Sequence, residues 1–236
     1  SINFSLHFRV LLTRSLKAMW TTEAQWYLSI LGIVTIVCTL TIWGKLESTL
    51  GFEESFRQSL FTVICTASST GFTNVDYIYW PVGTHTLILL LMFMGGMSGS
   101  TAGGLKCVRF AAAMKQLFKE LKKVVHPRAL YSIKINDHSV PDDVINAIWG
   151  FVFLYVTVCT SIVLVMTFQG VDLLSATSAS ISALSNIGPA LGDFGPYSNY
   201  AALPTGSKIA LTGGMVLGRL EFYTLIVIFT TEYWRK

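Results

Sequence analysis

Two long uncharged stretches decide most of what this chain can fold into. Residues 24–44, through "WYLSILGIVTIVCTLTIW", and 144–171, including "WGFVFLYVTVCTSIVLVMTF", contain no Asp, Glu, Lys or Arg. A helix rising ~1.5 Å per residue needs about 20 apolar residues to cross ~30 Å of hydrocarbon, and each stretch meets that requirement. Trp26 and Trp43 bracket the first, where aromatic side chains favour the membrane–water interface. Composition agrees: 13% of residues are charged, about half the usual fraction of a soluble domain. An integral membrane protein is predicted. Cys38, Cys65, Cys107 and Cys159 stand singly, without a CxxC pair or a His-rich cluster, so neither a disulfide frame nor a metal site is indicated. The histidines lack any Cys or Asp arrangement suited to chemistry. No catalytic residue is assigned, and no nucleic-acid partner is expected.

The chain repeats itself. Each unit has a long apolar helix, a shorter segment rich in Ser and Thr, a glycine-containing turn and a second long helix. In the first unit these are 24–44, 53–68, 69–74 and 84–122; in the second, 144–168, 171–184, 185–192 and 204–231. Gly71 and Gly188 are 117 positions apart, as are Ser68 and Ser185, and Asp76 and Asp193. Gly95–Gly96 and Gly213–Gly214 are 118 apart. The boundaries expected are a cytoplasmic segment 1–23, a first unit 24–122, a linker 123–143 and a second unit 144–236.

The short segments span roughly 21–24 Å as helices, too little to cross a bilayer comfortably. A helix that enters and returns on one side fits better, provided its backbone is buried or lines water. The expected fold is therefore all-α and membrane-embedded, with two helix–re-entrant pore loop–helix repeats, the plan of potassium-channel-like pores. Charge gives an orientation. If 1–23, 106–143 and 232–236 are cytoplasmic, that side holds 13 of the 17 Lys and Arg. The other side carries Lys45, Arg57 and Lys208 against Glu47, Glu53, Glu54, Asp76, Asp172 and Asp193. The positive-inside rule then puts both loops outside and both termini in the cytoplasm.

A helix running inward aims its negative dipole end at the membrane centre, and Glu53, Glu54 and Asp172 suit the positive ends left outside. Potassium without its water needs rings of carbonyl oxygens, which glycine permits. "SSTGF" offers Ser69, Thr70, Gly71 and Phe72; "SNIGP" offers Asn186, Ile187, Gly188 and Pro189. Against this filter stands the plainer reading that the glycines merely turn a buried loop. Asp76 and Asp193 read equally as outer-mouth cation attractors and as solvated turn residues.

"GGMSGSTAGGLK", Gly95 to Lys106, interrupts a good membrane helix. It is not a phosphate loop, since Leu105 stands where that motif requires Lys. Gly95, Gly99 and Gly103, with Gly96, Ser100 and Gly104, also fit small-residue helix packing. The favoured reading is a deliberate break near mid-membrane, tolerable only beside water. Gly95, Gly96, Ser98, Gly99, Ser100, Thr101, Gly103 and Gly104 would form a gate beneath the filter. Arg219, about 18 Å along the last helix, is costly at that depth and needs a partner. Loop carbonyls would serve, Glu221 being on a different face; snorkelling or another helix contact is the alternative. The basic segment 115–143 fixes topology and offers a docking surface.

"TASSTGFTNVD", "GGMSGSTAGGLK", "VVHPRALYSIKIN", "SNIGPALGDFGP" and the Arg219-bearing helix together resemble the Trk/Ktr/HKT potassium transporter superfamily, its bacterial TrkH-type members above all. The resemblance implies four such units around one pore, of which this chain would hold the third and fourth. It also implies filter glycines at Gly71 and Gly188, a gating loop at Gly95–Gly104 faced by Arg219, and potassium as the substrate. A homodimer, a cytosolic nucleotide-binding ring of the TrkA type, an inner (plasma) membrane location and a missing N-terminal half with two further units follow from the same resemblance. Two alternatives stand beside it: a two-pore-loop potassium channel that dimerises to complete the filter, and a non-conducting scaffold subunit whose glycines only pack helices.

Overall fold

The computed structural model describes residues 1–45, 51–126, 131–135, 138–220, 227 and 231–235. Glu47, Arg128, Glu221, Lys236 and most of the far end of the second unit's last helix lie outside the described residues. After α1 (Phe4–Thr13), α2 (Thr22–Lys45) is the first long apolar helix. Then come α3 (Phe52–Ala67), α4 (Val82–Met94) and α5 (Cys107–Val125). The second unit is α6 (Asp142–Phe168), α7 (Leu173–Ser185) and α8 (Thr205–Arg219), with a last turn of helix, α9, at Thr231–Trp234. A two-stranded antiparallel ribbon, β1 (Lys134–Ile135) and β2 (His138–Ser139), lies between the units.

The helix starts obey the charges at hand. Glu53 and Glu54 occupy the first turn of α3, and Asp142 and Asp143 that of α6. The Asp172 carboxylate caps α7 by accepting from the N–H groups of Leu174 and Ser175. Such contacts satisfy donors that no helical carbonyl reaches.

In α2 and α6 the apolar surface runs all round. Tyr27, Val34, Cys38 and Ile42 of α2 are buried, while Ile33, Ile36, Leu40 and Trp43 are exposed. In α6, Phe151, Tyr155, Ile162 and Met166 are buried, and Trp149, Phe153, Leu164 and Phe168 are exposed. Soluble monomers rarely expose apolar faces this large, whereas hydrocarbon or further protein accepts them.

Within the first unit α2 packs on α3 and α3 on α4; within the second, α6, α7 and α8 pack on one another. The units meet where α5 contacts α6 and, further along, where α4 contacts α7. That junction puts the C-terminal ends of α3, α4 and α7 together. Within the segment 84–122 the chain forms two helices, α4 and α5, with the glycine segment between them where the sequence reading favoured a break. Gly213–Gly214, the repeat partner of Gly95–Gly96, lies instead inside an unbroken α8.

Candidate functional site

The two glycine turns follow the C-termini of α3 and α7. After α3 the N–H groups of Thr70 and Gly71 both donate to the Cys65 carbonyl, 3.0 and 3.2 Å, curling the chain back over the helix end. Ser69 takes a left-handed φ of 56°, and the Ser68 and Thr70 hydroxyls bond each other at 2.7 Å. After α7, Asn186 is left-handed as well, and its side chain donates to the Met215 carbonyl of α8.

The serines of α7 brace the second turn from behind. Ser182 Oγ accepts from the Gly188 N–H at 3.1 Å and donates to the Pro189 carbonyl at 2.8 Å. Ser178 Oγ bonds both the N–H and the carbonyl of Leu191, and Ser175 Oγ accepts from the Asp193 N–H. Spacings of three and four residues put these hydroxyls on one helix face, which gives the Ser-rich composition of the segment a physical reason. Two tyrosines complete the frame. Tyr200 donates to the Gly188 carbonyl at 2.8 Å, and Tyr77 of the first unit donates to the Ala190 carbonyl of the second at 3.1 Å. Burial pushes the Tyr200 phenol up to about 12, and raises Tyr77 too, so both stay neutral donors.

The turns lie against each other. Gly71, with φ +69°, is so close to the second turn that a Cβ there would stand 2.0 Å from the Ile187 oxygen. Gly188 faces open space. Among the described residues no donor reaches the carbonyls of Thr70, Gly71, Asn186 or Ile187.

Beneath the turns the segment Gly95–Lys106 folds back on itself. Leu105 N–H donates to the Phe93 carbonyl at 3.2 Å, and Cys107 N–H to the Gly96 carbonyl at 2.9 Å. Gly103 reaches both turns at once. Its N–H donates to Ser69 Oγ at 3.1 Å, and its Cα is so near Ser185 that a Cβ would lie 2.1 Å from that carbonyl oxygen. Cations hold three successive loop carbonyls: Lys106 Nζ bonds those of Ser100 and Ala102, and Arg219 Nη1 bonds that of Thr101 at 2.6 Å. From α2, Glu23 Oε1 accepts from the Ser98 N–H at 2.6 Å. A cavity of about 170 Å³ lies between the loop and α5, α6 and α8, lined in part by Lys106, Arg109, Phe151 and Arg219.

The structure thus brings Ser69, Gly71, Ile187 and Gly188 into one cluster with the loop residues Gly103 and Thr101 and with Arg219. Phe72 points away and is 70% exposed. Asp76 is used locally, its carboxylate accepting from the Ile78 N–H at 3.2 Å. Sequence reasoning missed Glu23, the hold of Lys106 on the loop, and the two tyrosines. Glu23 sits at the edge of an uncharged stretch, and nothing in its neighbourhood points 75 positions ahead to Ser98.

Long helices apolar on every face and paired short helices ending on glycine turns define a helical membrane protein with an internal repeat. The profile of the TrkH family, described as cation transport protein, matches residues 1–236. The chain belongs to the TrkH family, which transports cations and is not a family of enzymes. It is 37% identical over 237 residues to the Trk system potassium uptake protein TrkH of Salmonella typhimurium, covering 99% of this chain and 48% of that protein. Against the TrkG protein of Escherichia coli K12 it is 32% identical over 241 residues, covering all of this chain and 48% of the relative. The fold superposes on the crystal structure of the potassium transporter TrkH from Vibrio parahaemolyticus with a TM-score of 0.88 and 33% identity, over 99% of this chain and 50% of that one. The chain spans about half the length of the curated relatives it matches.

Proposed function

We propose that this chain is the pore-forming half of a potassium uptake channel or transporter of the bacterial inner membrane. Potassium passes down its gradient through carbonyls of residues 69–72 and 186–189, and Gly95–Gly104 opens and closes the path beneath. The observation that carries this reading is Gly103, which touches Ser69 of one turn and Ser185 of the other. A loop that bridges the inner ends of both turns blocks whatever passes between them.

The electrostatics support the same reading. The C-termini of α3 and α7 turn their negative dipole ends toward the turns, which favours a cation there. Lys106, Arg109 and Arg219 lie just inside the loop and oppose a cation while the loop is in place. Drawing Arg219 off the Thr101 carbonyl frees the loop to move.

In this reading 24–122 and 144–236 are pore units, 123–143 is the cytoplasmic linker, and α3 and α7 are re-entrant from the outer face. Asp193 and Asp76 lie near the outer mouth. Relatives twice this length imply two further units that complete the ring of carbonyls. A homodimer, a TrkA-type cytosolic ring and cytoplasmic termini belong to the same proposal.

The test is rubidium and potassium uptake by the full-length parent in a transport-deficient bacterium, normalised to membrane abundance. Gly188→Ser is expected to change potassium/sodium preference. Arg219→Ala and a short deletion within Ser98–Ala102 are expected to raise flux. Unchanged flux and preference in all three would leave the glycines as packing devices and the chain as a scaffold.

A further inference from the structure

We infer that Glu23 is the clasp that keeps the glycine loop shut, an inference that rests on the gating role proposed above. Glu23 belongs to the first turn of α2, outside the loop and outside both glycine turns, and is 7% exposed. Its Oε1 accepts from the Ser98 N–H at 2.6 Å, and the same carboxylate accepts from the Val108 N–H at the start of α5. Glu23 therefore ties three elements: α2, the tip of the loop and the helix that follows it.

A buried carboxylate is costly unless hydrogen bonds and an opposite charge compensate it. Here the two N–H groups, the positive end of α5 and the nearby Lys106 offset part of that cost. The parts of this arrangement differ in one respect. The Val108 bond joins two helices whether the loop is shut or open, whereas the Ser98 bond exists only with the loop in place. A contact made in one of two states biases the equilibrium toward that state by its own free energy. A hydrogen bond to an ionised carboxylate is about twice as strong as a neutral one.

The loop is thus held by charges of both signs. Lys106 and Arg219 pull on the carbonyls of Ser100, Thr101 and Ala102, while Glu23 pulls on the N–H of Ser98. Glu23 acts on the ion only through the loop, so it is a positioning residue.

The test uses the full-length parent in proteoliposomes without its cytosolic partner, with rubidium flux counted per folded molecule. Four proteins are compared: wild type, Glu23→Gln, the deletion within Ser98–Ala102, and both changes together. Glutamine keeps the shape but loses the charge, so its hydrogen bond to the Ser98 N–H is weaker than the carboxylate's. Glu23→Gln is expected to raise basal flux about ten-fold, with potassium/sodium preference unchanged, and to add nothing in the deletion background. A helix-capping role alone would lower the melting temperature in both backgrounds and leave flux per molecule where it was. The clasp is overturned if the deletion raises flux and Glu23→Gln does not, or if Glu23→Gln raises it equally with and without the deletion. If the deletion leaves flux unchanged, the gate itself falls and the clasp with it.

Discussion

The Cα of Gly71 rests against the carbonyl oxygen of Ile187, so that the glycine of one unit is shaped by the backbone of the other. A methyl group at Gly71 would lie 2.0 Å from that oxygen, and φ is +69°. At Gly188, with φ +110°, nothing among the described residues stands within 4 Å of the same group. Repeat-related glycines therefore have different sensitivities. Gly71→Ala forces the turns apart and adds backbone strain, together about 2–5 kcal/mol. Gly188→Ala brings only the strain, about 1–2 kcal/mol. Melting temperatures of the purified full-length variants should separate accordingly, with Gly188→Ala reaching the membrane in normal amounts and Gly71→Ala reduced. Equal losses would argue against this contact.

Ser182 supplies a single hydroxyl to two backbone groups, the Gly188 N–H and the Pro189 carbonyl. Replacing it with alanine leaves both without that partner, at about 1–3 kcal/mol. Because the groups belong to the proposed filter, Ser182→Ala should also weaken potassium/sodium discrimination. Threonine keeps the hydroxyl and is expected to recover much of the discrimination. The measurement is the ratio of rubidium to sodium flux in the two variants.

Along α8 the glycines differ in what they meet. A Cβ at Gly218 would stand 1.9 Å from the Leu184 carbonyl at the end of α7, while one at Gly213 would meet nothing within 4 Å among the described residues. Gly218→Ala must push α8 off α7 and is expected to destabilise by about 1–3 kcal/mol. Gly213→Ala removes backbone freedom from the unfolded chain and should stabilise by about 0.4–1 kcal/mol. Opposite signs in thermal unfolding check the pair.

Tyr200 carries a pH signature. Its phenol is raised from 10.0 to about 12 by burial. Between those values the unfolded chain gives up a proton that the folded chain keeps, so stability falls as pH rises. The stabilisation is complete below pH 10 and lost toward pH 12. Tyr200→Phe removes the bond to the Gly188 carbonyl, at about 0.5–1.5 kcal/mol near neutrality. The gap in melting temperature between wild type and Tyr200→Phe should narrow between about pH 10 and about pH 12. A gap independent of pH would show that the phenol does not titrate with folding.

Much of this architecture was legible in the sequence, for local reasons. Hydropathy over about 20 residues reports a spanning helix wherever it sits, and α2 and α6 are where it put them. The loop after Met94 was legible because each interior glycine weakens a helix by about 1 kcal/mol, and Gly95, Gly96, Gly99, Gly103 and Gly104 fall close together. In α8 the adjacent pair Gly213–Gly214 is too little to break a helix packed on α6 and α7. Repeat symmetry in sequence therefore did not become symmetry in structure.

Tertiary structure alone decided what each permissive backbone position touches. A glycine announces that something can come close, not that Gly103 lies between Ser69 and Ser185, or Gly71 against Ile187. The Ser-rich face of α7 signalled hydrogen bonding, but its partners depended on how the chain turned at Asn186. Glu23 drew no attention in the sequence, and only folding carried Ser98 to it. Hydropathy and helix propensity act between neighbours along the chain and so can be read from it. Hydrogen bonds between distant residues exist only after the helices have packed, and that packing is where this site was made.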